Sequence, residues 1–197
     1  MTLAERIRTL ASDRRRVLVG IAGPPGAGKS PLSATLSDDL QAPVVEMDGS
    51  HLYNAILDER DLRARKGAPE TFDAAGFAAL LGRIRGGETV LAPVFDRTRD
   101  LARSCAREVS GAAPVVLVEG NYLLLDEPAW RPVAGMLDLS VLLTVPETEL
   151  ERRLIDRWLG FGLDKESAAK RARENDLANA RLVMAQSSAA DLVLDIR

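Results

Sequence analysis

Val17-Leu18-Val19-Gly20-Ile21-Ala22-Gly23-Pro24-Pro25-Gly26-Ala27-Gly28-Lys29-Ser30 decides the fold of this 197-residue chain. The first six residues form a short apolar, β-branched run that predicts a buried strand, and the next eight match G-x-x-x-x-G-K-[ST] in full. Lys29 to Leu40 carries Leu32, Leu36 and Leu40 at helical spacing, so the motif stands between the strand and helix that it requires. Glycines let the backbone wrap until successive N–H groups point inward, and the following helix N-terminus adds positive potential for phosphates. In this reading Gly23, Pro24, Pro25, Gly26, Ala27 and Gly28 cradle ATP, Lys29 reaches its β- and γ-phosphates, and the Ser30 hydroxyl ligates Mg²⁺. A plain glycine-rich strand-to-helix turn is the alternative. Pro31 is a local conflict at this ATP site, because it brings no N–H where the loop's next donor would lie.

Working outward, strands and helices alternate. Pro43 to Met47 predicts a second buried strand, Leu52 to Arg65 a polar helix, and Asp73 a cap for a helix running to Ile84 and closed by Gly86-Gly87. Glu88 to Phe95 and Cys105 to Val109 read as shorter strands that pair across Asp96 to Arg103. Val115 to Val118 and Leu139 to Val145 suit the middle of a parallel sheet. Thr144 with Glu147, like Thr2 with Glu5, reads as a helix cap, and Leu150, Leu154, Trp158 and Phe161 form a helical stripe. A helix from about Lys165 to Gln186 and a strand Asp191 to Ile196 follow. The expectation is a doubly wound α/β fold, a mostly parallel sheet flanked by helices in three layers, with ligands at the strands' carboxyl ends. Residues 1–197 read as a single domain, with an N-terminal helix within 1–16.

Composition narrows the classes. Hydrophobic residues at 46% and charged residues at 28% are ordinary for a folded domain, which excludes disordered and coiled-coil classes. One cysteine and one histidine leave no disulfide and no thiolate–imidazole zinc cluster. Cys105 reads as a small buried residue. A net charge of −3 and 4% aromatic residues speak against a nucleic-acid partner. No apolar run suits membrane insertion and residues 1–16 lack a signal-type core, so a cytoplasmic location is expected. Homodimerisation stays open. Only 4 of the 26 basic residues are lysines, which gives each lysine position added weight.

Two acids stand where such a loop needs them. Asp48, just past the second strand, faces the γ-phosphate and can accept a substrate hydroxyl proton or hold a water on Mg²⁺; otherwise it caps the next segment. Glu119, ending Val115-Val116-Leu117-Val118, suits a group beside Mg²⁺ or the acceptor; otherwise it is a buried acid satisfied by backbone. His51 follows Asp48 by three residues and reads as a substrate contact or a surface or capping group. Asp96 and Arg97 lie at a strand end that borders the same pocket.

Met47-Asp48-Gly49-Ser50-His51, Arg65-Lys66-Gly67-Ala68-Pro69-Glu70-Thr71-Phe72-Asp73 and Val118-Glu119-Gly120-Asn121-Tyr122-Leu123-Leu124 resemble, in order, blocks of the phosphoribulokinase/uridine kinase/pantothenate kinase family. Within it the chain is most similar to bacterial fructose transport system kinase-like proteins. The resemblance spans Val17 to Ile196. It implies a P-loop kinase fold with a small helical lid, ATP with Mg²⁺, and phosphoryl transfer to a small-molecule hydroxyl. It also implies that Asp48 is the catalytic base and that Arg65, Lys66 and Tyr122 lie by the acceptor. The lid would span about 147–187, with Arg152, Arg153 and Arg157 as its arginines; Arg153 and Arg157 share a helix face and would clamp the γ-phosphate. Asn175 and Asn179, in a block that also resembles the subfamily, would reach adenine or ribose; capping is the alternative. Relatives usually carry threonine at Pro31 and phenylalanine at Ser50.

The leading expectation is therefore a small-molecule kinase acting on a sugar such as fructose, with pantothenate or a nucleoside as alternatives. A nucleotide-binding regulatory module linked to sugar transport is the second, and a nucleic-acid ATPase a distant third.

Overall fold

Val17–Ala22 is buried along its whole length, as a strand covered on both faces must be. The computed structural model describes residues 1–196. Seven strands are present among them: β1 (Val17–Ala22), β2 (Val44–Glu46), β3 (Val90–Asp96), β4 (Leu101–Val109), β5 (Val115–Gly120), β6 (Leu139–Thr144) and β7 (Leu192–Asp195). They alternate with α1 (Leu3–Ser12), α2 (Lys29–Leu40), α3 (Asn54–Glu59), α4 (Ala74–Arg85), α5 (Arg131–Ala134), α6 (Glu147–Gly160), α7 (Lys165–Arg171) and α8 (Leu177–Gln186). Five strands form one parallel sheet in the order β2-β5-β1-β6-β7, while β3 and β4 form a separate antiparallel hairpin.

Sheet parity builds two cores. Val116 and Val118 of β5 pack with Phe77, Leu81 and Ile84 of α4 on one face. Val115 and Leu117 pack with Ile7 of α1, Leu36 of α2 and Leu150 of α6 on the other. This is the expected three-layer α/β fold. Because β1 lies between β5 and β6, and the chain returns to opposite sides of it, the loop after β1 opens at a topological switch point. No helix among the described residues is long and apolar enough to cross a membrane.

Several local expectations hold. Thr2 and Glu5 form the capping box of α1, and Asp73 caps α4 by accepting from the Gly76 N–H at 2.8 Å. Others need correction. Leu52 to Arg65 is not one helix: α3 stops at Glu59, Asp61 takes a left-handed φ of 55°, and Leu57 is the only buried side chain of α3. The second strand ends at Glu46, and Met47–Ser50 turn as a 3₁₀ helix that carries Asp48. Thr144 does not cap α6; its hydroxyl bonds Asp195 of β7, and Pro146 takes the cap position with no side-chain bond. The first hairpin strand is shifted to Val90–Asp96, the second runs longer than expected, and Cys105 is exposed, with φ of 53°, where the β3–β4 register shifts. A two-stranded sheet buries one face at most, so an apolar residue there has no second core to enter. The helix expected over Lys165 to Gln186 is continuous but contains a π turn at Ala172–Asp176.

Candidate active site

A cleft of about 900 Å³ opens at the carboxyl ends of the parallel strands. Its floor is the loop after β1. Gly26 and Gly28 sit at φ of 81° and 93°, the left-handed region in which a side chain is strained, and this lets the loop wrap. Lys29 folds back over it, donating from Nζ to the Pro24 carbonyl at 2.9 Å. Burial pulls its amine down to about 8, against the opposing pull of Glu119 and Asp48.

Glu119 reaches this floor through strand parity. It shares a β5 face with Val115 and Leu117, the face covered by α2. Its Oε1 accepts from Ser30 Oγ at 2.7 Å and its Oε2 from Ser33 Oγ at 3.0 Å. Hydroxyl and carboxylate oxygens are the hard donors that suit Mg²⁺, which takes one or two protein oxygens beside phosphates and water. The residues present fit that ion.

Asp48 is delivered to the opposite wall by its 3₁₀ turn. The hairpin packs hard against this turn: a Cβ on Gly49 would stand 2.4 Å from the Pro93 carbonyl oxygen. Arg97, at the hairpin tip, thereby donates from Nη2 to Asp48 Oδ2 at 3.0 Å. The same tip carries Asp100, whose Oδ1 pairs with the buried Lys66 Nζ at 2.9 Å; Lys66 also donates to Asn54 Oδ1 at 2.7 Å. His51 stacks on Phe72 with ring centroids 3.9 Å apart and tilts against Phe95 at 4.8 Å. Burial lowers its imidazole to about 4, so it is neutral at pH 7, and its Nδ1 is buried without a hydrogen-bond partner.

The far wall comes from the end of α6 and the π turn. Trp158 donates from Nε1 to Asp176 Oδ2 at 2.6 Å, and its ring lies against the Arg157 and Arg171 guanidinium groups at 5.8 and 5.1 Å. Burial raises the Asp176 carboxyl above the ordinary range and lowers Arg157, whose charge is further disfavoured by Arg97.

Of the residues expected from sequence, the cleft gathers Pro25, Gly26, Gly28, Lys29, Ser30, Pro31, Asp48, His51, Lys66, Arg97, Glu119, Arg157 and Asn179. Gly23, Pro24 and Ala27 back the loop without facing the cleft. Five others lie elsewhere. Arg153 does not line the cleft but backs the phosphate loop, held by Glu149 at 2.7 Å and donating from Nη1 to the Gly26 carbonyl at 3.4 Å. Arg65 is exposed and paired with Glu70 at 2.6 Å. Tyr122 is fully buried in the aromatic core with Phe72 and Trp130, its hydroxyl donating to the Gly67 carbonyl at 2.6 Å. Asp96 caps the hairpin turn, accepting from the Arg99 N–H at 3.1 Å. Asn175 donates to the Lys66 carbonyl at 3.1 Å, and both asparagine amides face Gly67, so this pair sits by the Lys66 turn. Phe95, Asp100, Trp158, Arg171 and Asp176 line the cleft without having been singled out. The sequence signal for Trp158 is its place in the α6 stripe, and that for Asp176 is its position next to Asn175.

The model of the phosphoribulokinase/uridine kinase family matches residues 18–196. The chain belongs to that family. It is a P-loop kinase, hence a phosphotransferase, and a small molecule is its substrate. YggC of Escherichia coli K12 is 36% identical to it over 190 residues, covering 93% of this chain and 79% of that protein. A candidate uridine kinase, C227.14 of Schizosaccharomyces pombe, is 32% identical over 207 residues, covering 98% and 88%. Among solved structures, a candidate fructose transport system kinase from Silicibacter sp. TM1040 superposes with a TM-score of 0.91 at 45% identity, covering 98% and 99% of the two chains. YFH7 of Saccharomyces cerevisiae, at 19% identity and a TM-score of 0.82 over 99% and 98%, shares the kinase fold.

Proposed function

We propose that this kinase transfers the γ-phosphoryl group of ATP, with Mg²⁺, to a hydroxyl of a small uncharged polyol, a sugar of the fructose type. The observation that carries the reading is Asp48. Its carboxylate faces the same cleft as the phosphate loop and is pinned by Arg97 through Oδ2 alone, which leaves Oδ1 to take the proton of the acceptor hydroxyl. Lys29 and Arg157 stabilise the charge on the transferring group, while Ser30 and Glu119 are the residues that would hold Mg²⁺. A Mg²⁺ ion held there would supply Lewis-acid neutralisation of phosphate charge. Most of the rate enhancement then comes from positioning and fixed charge.

Charge matching supports an uncharged acceptor. Lys66 is met by Asp100 and Arg97 by Asp48, so the cations beside the acceptor's base are already paired, whereas Arg157 and Arg171 share the single carboxylate of Asp176 and their surplus charge falls to the transferring phosphoryl group. Neutral His51 and the buried carboxylate of Asp176 suit hydroxyl groups instead. The name borne by the Silicibacter protein points the same way.

The test is ADP release measured with D-fructose, other sugars, polyols, uridine and pantothenate. Release that depends on a sugar or polyol is expected. Release only with pantothenate or uridine reassigns the acceptor, and nucleotide binding with no acceptor-dependent release moves the chain to a nucleotide-binding module.

Pro31 bears on ATP affinity. It is the third residue of α2, lines the cleft, and has no N–H to give to phosphate. Pro31→Thr is expected to tighten ATP by about 2- to 10-fold, the worth of one hydrogen bond, in a calorimetric titration. Unchanged affinity overturns this account of the proline.

A further inference from the structure

At the opposite end of the sheet, where β1 and β5 begin, a second cavity of about 500 Å³ is lined by Arg15, Arg16, Arg85, Gly86, Gly87, Gly111 and Ala112. Three guanidinium groups and no carboxylate face it. Arg16 is the pillar of this corner. It donates from Nε to the Ala113 carbonyl at 3.0 Å and from Nη2 to that of Ser110 at 3.1 Å, and it also bonds the carbonyls of Ile84 and Gly111. Every one of these acceptors is neutral, so the geometry of Arg16 is satisfied while its charge is not. Burial and the neighbouring Arg15 both disfavour that charge. Arg15 is exposed, extends over Gly87, and has no hydrogen-bond or ion-pair partner among the described residues.

The nearby acids are already committed. Asp138, with a side chain only 3% exposed, pairs with Arg14 at 2.6 Å and Arg85 at 3.1 Å and accepts the Leu18 N–H at 2.9 Å. Glu88 is paired with Arg83 at 2.8 Å. The walls between the arginines are glycine and alanine, and the two turns press so closely that a Cβ on Gly111 would stand 2.5 Å from the Gly87 carbonyl oxygen. The corner is thus small-walled, positively charged and short of counter-charge, with neither Arg15 nor Arg16 met by an acid among the described residues.

We propose that this cavity is an anion site, separate from the kinase cleft, in which Arg15 and Arg85 hold the oxygens of a phosphate group, from free phosphate or a small phosphorylated metabolite. Guanidinium groups supply paired N–H donors with the spacing of phosphate oxygens, and the bound charge relieves the repulsion between Arg15 and Arg16. Nothing in this assignment depends on which acceptor the kinase uses.

The experiment uses the full chain carrying Lys29→Ala, which disables the phosphate loop, and titrates inorganic phosphate and glycerol 3-phosphate at constant ionic strength. One bound equivalent is expected, with the amide signals of Gly87 and Gly111 shifting in a ¹⁵N–¹H spectrum. Adding Arg15→Gln is expected to weaken binding by about tenfold or more, because a hydrogen bond to a charged group is lost. Arg15 has no partner among the described residues, so this variant keeps the fold; Arg85→Gln is the second probe and weakens binding in the same direction. Equal binding of both ligands assigns the site to phosphate itself, and preference for the ester assigns it to a phosphorylated metabolite. No binding in the Lys29→Ala chain, or binding indifferent to both arginine substitutions, overturns the proposal.

Discussion

Asp48→Asn is expected to lower kcat by about 10² to 10⁴ while leaving ATP affinity unchanged. The substitution keeps the shape of the side chain and an oxygen that can still accept from Arg97, so the turn and the hairpin tip stay in register. What it removes is the basic oxygen that takes the acceptor's proton. ATP binding is spared because the nucleotide's charge is met by Lys29, Ser30 and the loop N–H groups, none of which bonds Asp48. Single-turnover ADP formation and a calorimetric ATP titration on the same preparation separate the two effects. Turnover retained at the wild-type rate would refute the base assignment. A loss of ATP affinity equal to the loss of rate would instead show that Asp48 organises the nucleotide side.

What could be read from sequence is what one or two neighbouring elements determine. The strand, loop and helix from Val17 to Leu40 have the expected bounds because burial, glycine placement and helical spacing all act within 24 residues. Glu119 was legible for a related reason: at the end of an apolar strand, parity alone turns it toward the helix that follows the loop. The pairs across the cleft were not legible. Arg97 reaches Asp48, and Asp100 reaches Lys66, only because the hairpin leaves the main sheet and rests on the 3₁₀ turn, and no local spacing encodes that contact. Arg153 and Arg157 show the limit of helical arithmetic. They share a face, yet Glu149, four residues before Arg153, captures it, while Arg157 lies at the helix end where Trp158 and Phe161 cover it. The π turn has a similar effect. Its wider turn shifts the face of α8 relative to α7, setting Asp176 and Asn179 into the cleft and Asn175 against the Lys66 carbonyl. Tyr122 sits inside a block that resembles a family site, but its ring is worth more in the core than at the surface.

Lys29→Met is expected to abolish useful transfer and to make the protein more stable, two effects with one cause. Lys29 is 7% exposed, and burial holds its amine at about 8 where a solvated lysine titrates at 10.5. Folding therefore works against the charged form. The direction with pH follows from proton counting. Between about 8 and 10.5 the unfolded chain binds the proton more fully than the native one, so stability rises with pH across that window; below about 8 both states are charged and the cost of burying the charge is fully present. The gap corresponds to about 3 kcal/mol at neutral pH. Methionine has similar length and no charge, so about 2 kcal/mol of that cost should return as stability, the rest being offset by the Pro24 carbonyl left without its donor. In a chain of this size the melting temperature should rise by roughly 4–8 °C at pH 7, and the difference from wild type should shrink as pH approaches 10. On the catalytic side, one fixed charge on the transferring phosphoryl group is worth about 10²–10³ in kcat. The same amine explains a pH dependence in the wild type: kcat/KM for ATP should fall as pH rises through about 8, because free Lys29 loses the proton that phosphate requires. A variant no more stable than wild type at pH 7 would show that the lysine's burial carries no electrostatic cost, and a kcat/KM profile flat from pH 7 to 9 would remove Lys29 from the groups that meet ATP as cations.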